Sequence, residues 1–355
     1  MIDGVVRPGL AKLKRVVMAR LSRQSKMNLL RDLASDLGVE ALFADYFSRS
    51  ETGRKGPTDS TDPTPSMVRT AAFEWAREAA EGDERTPNYA LRTFTHIHLW
   101  IEQYAGGLER KRILELGPGC NLIVGSLLVA SGAARYVGAD LYPVASLDPA
   151  VFRRLRAELE ADCCVVRPPG HYEHRARMLR RFDEAIRIND TEVIFDQERL
   201  AWCYPADATK LPFDHGSFDV CLSNATLEHV RDPLAAVRES VRILVPGGHG
   251  LHQIDYRDHR DFATPLDFLR YGRREWQALF EEPGKAPEHT NRWRHSDFLE
   301  AFRSAGAEVL RADVNCRAEV PIGLRAQLHP DFSERGDLET LGAFFVVRKP
   351  TTPGS

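Results

Sequence analysis

The sequence predicts an α/β protein with a seven-stranded, mostly parallel sheet, an antiparallel final strand and a helical N-terminal extension. Short apolar strands alternate with helices from residue 112 onward, a pattern typical of a parallel sheet covered by helices on both faces. The first strand runs into a glycine-containing turn, and the second ends at Asp140. Such a turn and such an acid are features of ligand-binding α/β sheets.

The individual elements follow from their apolar pattern and their boundary residues. Helices are predicted at 87–104, 122–131, 149–160, 233–242 and 296–304. Strands are predicted at 112–116, 135–140, 218–224, 250–256, 307–314 and 342–349, with a further strand before Asp207. The strand at 250–256 is expected to follow a turn formed by Pro246, Gly247 and Gly248.

Composition limits the class of protein. The chain has 355 residues, 43% of them hydrophobic and 28% charged, with a formal net charge of −3. It is long enough to bury a large core, and its charge predicts no general affinity for nucleic acid. The six cysteines form no C-x-x-C pair, so they are expected to be reduced thiols. No apolar run approaches the ~18–20 residues that span a bilayer, and the start lacks a secretory signal. A cytoplasmic location is therefore expected.

We divide the chain into a basic helical extension with a linker at 1–66 and a main domain at 67–350. Residues 10–37 have the spacing of an amphipathic helix, and residues 1–35 contain eight Lys or Arg against Asp3 and Asp32. This helix is interpreted as a packing or lid helix with a solvated basic face. The alternative is peripheral contact with an anionic membrane surface or an acidic partner. Residues 48–66 are rich in Ser, Thr, Gly and Pro, as linkers are.

The turn after the first strand has the chemistry of a ligand cradle. Glu115 ends a buried strand, and Gly117 and Gly119 remove the Cβ atoms that would keep a ligand from the backbone. The helix that follows presents free N–H groups to an anion. Asp140 comes 25 residues after Glu115, where a carboxylate accepts hydrogen bonds from ribose hydroxyls.

Further motifs make the pattern specific: Asp207-Ala208, the strand ending at Asn224, LEHV at 227–230 and LVPGG at 244–248. With the ELGPG turn at 115–119, they make residues 85–350 resemble the class I S-adenosylmethionine (SAM)-dependent methyltransferases, whose sheet is Rossmann-like. The resemblance is to the branch with ELGPG and LEHV motifs, and it implies SAM as the cofactor. It assigns the methionine part of SAM to Glu115, Gly117, Gly119 and Asn224, the ribose to Asp140, and the adenine to Leu141, Asp207 and Ala208.

Some features depart from the pattern or exclude rivals. Asn121 stands at the third small position of the turn, where it could cap the next helix. An NAD(P) oxidoreductase would need G-x-G-x-x-G, but Leu122 follows instead. A nucleic-acid methyltransferase would carry Pro-Pro-aromatic after Asn224, which is absent. A SAM-binding, catalytically inactive partner subunit remains an alternative.

His229 is the predicted catalytic residue, because an oxygen acceptor needs a base and histidine titrates near neutrality; orientation of its loop is the alternative role. Relatives that methylate phenols hold a divalent metal at this element, and Glu228 and His229 match them. Ala225 replaces an acidic ligand, so no metal is predicted.

A second polar cluster consists of His252, Asp255, His259 and Asp261, but strand alternation sends His252 and Asp255 to opposite faces. That cluster is interpreted as a polar active-site loop.

Two segments are candidates for the acceptor pocket. An insertion at about 160–200 could bring arginines to an anionic acceptor; these are Arg167, Arg175, Arg177, Arg180, Arg181 and Arg187. A lid segment at about 257–295 supplies aromatic side chains for a ring, namely Phe268, Tyr271, Trp276, Phe280 and Trp293. The alternatives are a solvated basic helix for the insertion and ordinary core packing for the aromatic side chains.

The predicted reaction is O-methylation of a small molecule, sugar or glycolipid, with N- or C-methylation as the alternative.

Overall fold

The structure is a computed structural model that describes residues 87–160, 171–280 and 290–351. The predictions for the basic helix and the linker lie outside these residues. In the described part of the chain, no helix has both the length and the apolar character needed to cross a membrane.

The described chain contains eight α-helices, nine strands and short 3₁₀ turns, and α/β alternation begins after the first helix. The helices are α1 (Pro87–Tyr104), α2 (Ile123–Ser131), α3 (Pro149–Glu160), α4 (His171–Ala185), α5 (Pro233–Arg242), α6 (Arg273–Phe280), α7 (His295–Ser304) and α8 (Pro330–Ser333). The strands are β1 (Arg112–Leu116), β2 (Arg135–Ala139), β3 (Ile186–Ile188), β4 (Val193–Phe195), β5 (Leu200–Cys203), β6 (Phe218–Asn224), β7 (Leu244–Asp255), β8 (Glu308–Arg317) and β9 (Thr340–Arg348).

Seven strands form the main sheet in the order β5-β2-β1-β6-β7-β9-β8. The pairs from β5 to β7 are parallel, and β9 runs antiparallel to both β7 and β8. This confirms the predicted Rossmann-like sheet with an antiparallel final strand. The strand order reverses at β1, and α/β proteins bind ligands at the carboxyl ends of the strands beside such a point.

Helices cover both faces of the sheet, as the near-continuous apolar character of β1 and β6 requires. On one face α1 to α4 enclose a core that contains Phe94, Leu127 and Phe182. On the other face α5 and α7 lie against each other, and they contribute Val237 and Phe302 to a second core. The start of β1 is fixed to β6 because the backbone and guanidinium of Arg112 donate to the Asp219 carboxylate.

The predicted turn before β7 is instead part of a longer strand. β7 begins at Leu244 and passes through Gly247, whose φ is +80°. The register with β6 shifts between Phe218 and Val220. The glycine pair therefore forms an irregularity near the start of β7, where the N–H of Gly247 donates to the carbonyl of Lys349, the residue that follows β9.

The segment at 171–195 that belongs to the predicted insertion packs at the back of the domain. It forms α4 and the antiparallel β3–β4 hairpin, and α4 lies against α2 and α3. Arg181 pairs with Glu109 at 2.6 Å and Arg180 with Glu184 at 3.8 Å. These arginines are thus engaged on the helical layer.

Candidate functional site

The turn after β1 is shaped by Gly117. Its φ is +65°, and a Cβ there would lie 2.5 Å from Oγ1 of Thr226. Its N–H donates to the carbonyl of Ala139 at the end of β2. Thr226 in turn donates from Oγ1 to the carbonyl of Leu116 at 3.0 Å. The ends of β1, β2 and β6 are therefore held together around a residue that has to be glycine.

The second half of the turn leads into α2. Gly119 also has a positive φ, +75°, but a Cβ there would meet nothing within 4 Å. Asn121 accepts from the N–H of Ile123 at 3.1 Å, so its side chain caps the first amide of α2. This supports the structural interpretation of Asn121 over cofactor contact.

A cavity of about 380 Å³ opens at the carboxyl ends of these strands. We call it the cofactor cavity. Its lining residues are Leu116, Gly117, Ala139, Asp140, Leu141, Tyr142, Val144, Ala206, Asp207, Ala208, Thr209, Thr226, His229, Val230, Arg231 and Asp232. Six of the predicted site residues are brought together here, from four separate stretches of chain: Gly117, Asp140, Leu141, Asp207, Ala208 and His229.

The two acids in the middle of the cofactor cavity are held by local turns. Asp140 accepts from the N–H of Tyr142 at 2.9 Å, and partial burial raises the pKa of its carboxyl. Asp207 accepts at Oδ1 from the N–H and the hydroxyl of Thr209, at 2.8 and 2.7 Å. Fixed acceptors beside an apolar wall suit hydroxyl and amino donors of a nucleoside.

Three predicted residues are not among the lining residues of the cofactor cavity: Glu115, Gly119 and Asn224. Glu115 is buried within the sheet, where it accepts from the Tyr136 hydroxyl at 2.5 Å. Burial raises the pKa of Glu115 to about 7. Its side chain points to the face covered by α2, because alternate residues of a strand face opposite sides. The structure thus gives Glu115 a structural contact within the sheet.

Sequence reasoning missed several lining residues. Tyr142 and Val144 follow Asp140, and the 41% exposure of Val144 leaves an apolar surface at the cavity mouth. Thr226 follows Ala225, a non-glycine residue with φ +50°. A positive φ at alanine stores strain, and no sequence pattern indicated it.

His229 lies at the cavity wall beside a buried polar group. Its ring is 4.8 Å from that of His259, centroid to centroid, and His259 Nε2 lies 3.6 Å from Asp255 Oδ2. Glu228 is 2% exposed and accepts at Oε1 from the N–H of Asp255, whereas its Oε2 has no hydrogen-bond partner within the described part of the chain. The segment that begins at Asp255 therefore supports the 3₁₀ turn that carries Glu228 and His229.

Burial and the charge of Asp255 determine the pKa shifts of Glu228 and His259. Burial, with the nearby Asp255 charge, raises the pKa of Glu228 to about 8. Burial opposes protonation of His259, but the hydrogen bond and charge of Asp255 outweigh it and raise the pKa of His259. Arg257 forms a two-pronged ion pair with Asp255 and helps to keep the pKa of Asp255 low despite its burial. Such clustering of shifted groups is typical of functional sites.

Glu228, His229 and His259 offer metal-ligand atoms that all lie within 4.8 Å of one another. Sequence reasoning considered the first two but did not connect them with His259, which is 30 residues away. A three-ligand set of carboxylate and imidazole suits a divalent ion. The prediction of no metal therefore stays a prediction, and chelation tests it.

His252 does not belong to the polar site with Asp255 and His259. It is fully buried, stacks on Phe302 at 5.2 Å and shares a hydrogen bond of 2.9 Å with Ser223. The interpretation of the whole cluster as an active-site loop is thus wrong for His252, because strand alternation places it in the core. Asp261 instead forms a local turn with Ala263 and Thr264.

A second cavity, also about 380 Å³, adjoins the first. We call it the arginine cavity. Its lining residues are Arg231, Asp232, Pro233, Arg273, Trp276, Gln277, Asn291, Arg292 and Trp293. Two aromatic residues of the predicted lid segment, Trp276 and Trp293, are among them, whereas Phe268 is buried in contact with Trp276. None of the described insertion arginines lines either cavity.

Comparison with known proteins agrees with this geometry. The family model for the methyltransferase domain matches residues 176–251. An uncharacterized methyltransferase of Mycobacterium sp. (strain JLS) is 54% identical over 43 residues, which are 12% of this chain and 17% of that protein. A ubiquinone biosynthesis O-methyltransferase of Alkalilimnicola ehrlichii is 25% identical over 208 residues, 56% of this chain and 65% of that protein. The chain thus spans less than two thirds of either curated relative.

Among solved structures, the S-adenosylmethionine-dependent methyltransferase from Mesorhizobium loti is 19% identical, with a TM-score of 0.37. The match covers 68% of this chain and 92% of that one. The assignment rests on the matched segment, which contains Asp207, Ala208 and the LEHV turn, and on the strand order. Residues 176–251 therefore match a methyltransferase domain, and the seven-stranded sheet has the Rossmann-like order of the class I methyltransferase fold, whose members use SAM as their cofactor.

Proposed function

We propose that the protein transfers the methyl group of SAM to an oxygen atom of a small molecule, sugar or glycolipid. The observation that carries this proposal is the cofactor cavity, where Gly117, Asp140 and Asp207 meet with His229 at the wall. The Cβ-free position at Gly117 and the two fixed carboxylates fit the methionine and adenosine parts of SAM.

The chain's own residues have two tasks in such a reaction. SAM supplies a methyl group on a sulfonium sulfur, which becomes a neutral thioether after transfer. The protein has to align donor and acceptor, because in-line displacement depends chiefly on orientation. We assign to His229 the task of accepting the proton of an acceptor hydroxyl, an assignment supported by its position in the cavity lining and by the contact of its ring with His259. The Alkalilimnicola O-methyltransferase relative supports an oxygen acceptor.

The test combines binding with turnover. Calorimetry with SAM should show one site per chain, and Asp140→Ala should weaken binding about tenfold or more, because a charge-assisted hydrogen bond contributes roughly 1.5–3 kcal/mol. Radiolabelled SAM and a cell extract should then give a labelled product. A 14-dalton difference between metabolites of deletion and wild-type strains would identify the acceptor.

Each alternative gives a distinct outcome. SAM binding without transfer to any extract would favour an inactive partner subunit over an enzyme. Transfer to a product whose label resists conditions that cleave methyl ethers and esters would favour N- or C-methylation. Absence of SAM binding would overturn the proposal.

A further inference from the structure

The arginine cavity has no task in the reaction as described so far. It adjoins the cofactor cavity, because Arg231 and Asp232 line both. Three arginines and one aspartate line it, so its charge is positive although the whole chain is slightly acidic. Asp232 is also engaged, since its Oδ1 accepts from the N–H of Ala235 at the start of α5.

Arg292 has a buried side chain and a strained backbone conformation. It is 7% exposed and has a φ of +66°, a conformation that strains a side-chain-bearing residue. Nη1 donates to the carbonyls of Tyr271 and Phe268, at 2.5 and 3.3 Å. The guanidinium also lies 5.2 Å from the centre of the Trp276 ring. Its Nε is buried, and no described residue forms a hydrogen bond with it.

No carboxylate makes an ion pair of 4 Å or less with Arg292 among the described residues. Burial, followed by the nearby Arg273 charge, lowers the pKa of Arg292 to about 10, and Asp331 only partly opposes this. A buried cation without a direct counterion is unfavourable. An oxyanion between Arg292 and Arg273 would supply that counterion.

The arginine cavity is also joined by hydrogen bonds to the 3₁₀ turn that carries Glu228 and His229. The side chain of Asn291 donates from Nδ2 to the carbonyls of Leu227 and Val230, at 2.7 and 2.9 Å. Its N–H donates to the carbonyl of Glu228 at 2.6 Å. The residues on each side of His229 are thus fixed to the irregular segment at 291–293, which carries Arg292 and Trp293, so a ligand held here has a defined position relative to His229.

We propose that the arginine cavity binds the acceptor through a carboxylate or phosphate oxyanion, with Trp276 and Trp293 beside its ring. Arginine pairs with both oxyanions through parallel N–H donors, and tryptophan faces suit planar or sugar rings. The role as acceptor site rests on the proposed function, whereas oxyanion binding does not. The acceptor class is thereby narrowed to compounds that carry an acidic group beside the methylated position.

The test uses three probes that share one ring: phenyl phosphate, benzoate and the neutral benzamide. Calorimetric titration of the full chain, with S-adenosylhomocysteine present, should show binding of at least one oxyanion and no binding of benzamide. Affinity should fall as salt is raised. Phosphate-only or carboxylate-only binding would each support the proposal and name the group. Equal binding of benzamide, or no binding of either oxyanion, would overturn it.

Neighbouring arginines provide a matched pair of variants. Arg273 and Arg274 are both exposed on α6, but only Arg273 lines the cavity. Arg273→Gln should weaken oxyanion binding about tenfold, whereas Arg274→Gln should leave it unchanged. Equal effects of the two variants would contradict the proposal.

S-adenosylhomocysteine affinity separates this inference from the proposed function. Both variants should bind it as the wild type does, because neither residue lines the cofactor cavity. Oxyanion binding without S-adenosylhomocysteine binding would remove the methyltransferase proposal and leave the anion site standing. The reverse result would remove the anion site alone.

Discussion

The cofactor cavity and the arginine cavity share Arg231 and Asp232, yet they are built differently. Most of the first is formed by short segments that directly follow parallel strands, such as Gly117 after β1 and Asp140 after β2. The second joins the turn after β6 to residues 273–277 and 291–293. The cofactor cavity is formed at strand ends, so motifs close to each strand in the sequence predict its residues. The arginine cavity forms only where segments that are distant in sequence come together.

The largest expected effect is on the cofactor cavity. Gly117→Ala should weaken SAM binding about 100-fold, because the new Cβ would displace Thr226, and small misplacements have effects of this size. Gly119→Ala is the control: its φ is also positive, but the space around it is open. Calorimetry with SAM measures both. Equal losses would show that backbone strain alone, and not the contact with Thr226, shapes the cavity.

The next effect concerns the wall of the cofactor cavity. His229→Gln should lower kcat about 100-fold, the lower range for loss of a general base, with little change in SAM affinity. Methyl transfer from radiolabelled SAM and calorimetry measure the two quantities. A kcat within threefold of wild type would mean that His229 only orients its turn.

A smaller effect concerns the buried acid behind His229. The pKa of Glu228 is raised from its usual 4.5 to about 8, mainly by burial. Between these values the unfolded chain has lost a proton that the folded chain retains, so stability falls as pH rises, by up to about 1.4 kcal/mol per pH unit. Glu228→Gln should remove this contribution. Denaturant unfolding at pH 5 to 8 measures the slope, and an unchanged slope would contradict the assignment.

The smallest expected effect is that of metal removal. The pKa of Glu228, raised by burial to about 8, keeps its carboxyl largely protonated at neutral pH, and a protonated carboxyl is a poor metal ligand. EDTA should therefore leave methyl transfer unchanged. Activity that is lost with EDTA and restored by Mg²⁺ would make Glu228, His229 and His259 a metal site.

Much of the cofactor cavity could be predicted from sequence, because its residues lie at fixed offsets from strand ends. Asp140 and Asp207 were assigned in this way and both line the cavity. Glu115 was assigned by the same logic, yet it faces Tyr136 inside the sheet. Motif spacing gives a residue's place along the strand, whereas strand alternation decides whether its side chain points to the cavity or to a helix-covered face of the sheet.

By itself the sequence determined the alternation of strands and helices and the turn at Gly117, since these follow from local periodicity and backbone sterics, whereas the antiparallel direction of the last strand was implied by the family resemblance. Tertiary structure alone decided that His252 leaves the polar cluster, that His259 joins His229, and that Arg273 and Arg292 face one cavity with Arg231. These groups join residues 19 to 61 positions apart. The burial of these side chains and the closeness of their charged groups arise only when these segments pack together.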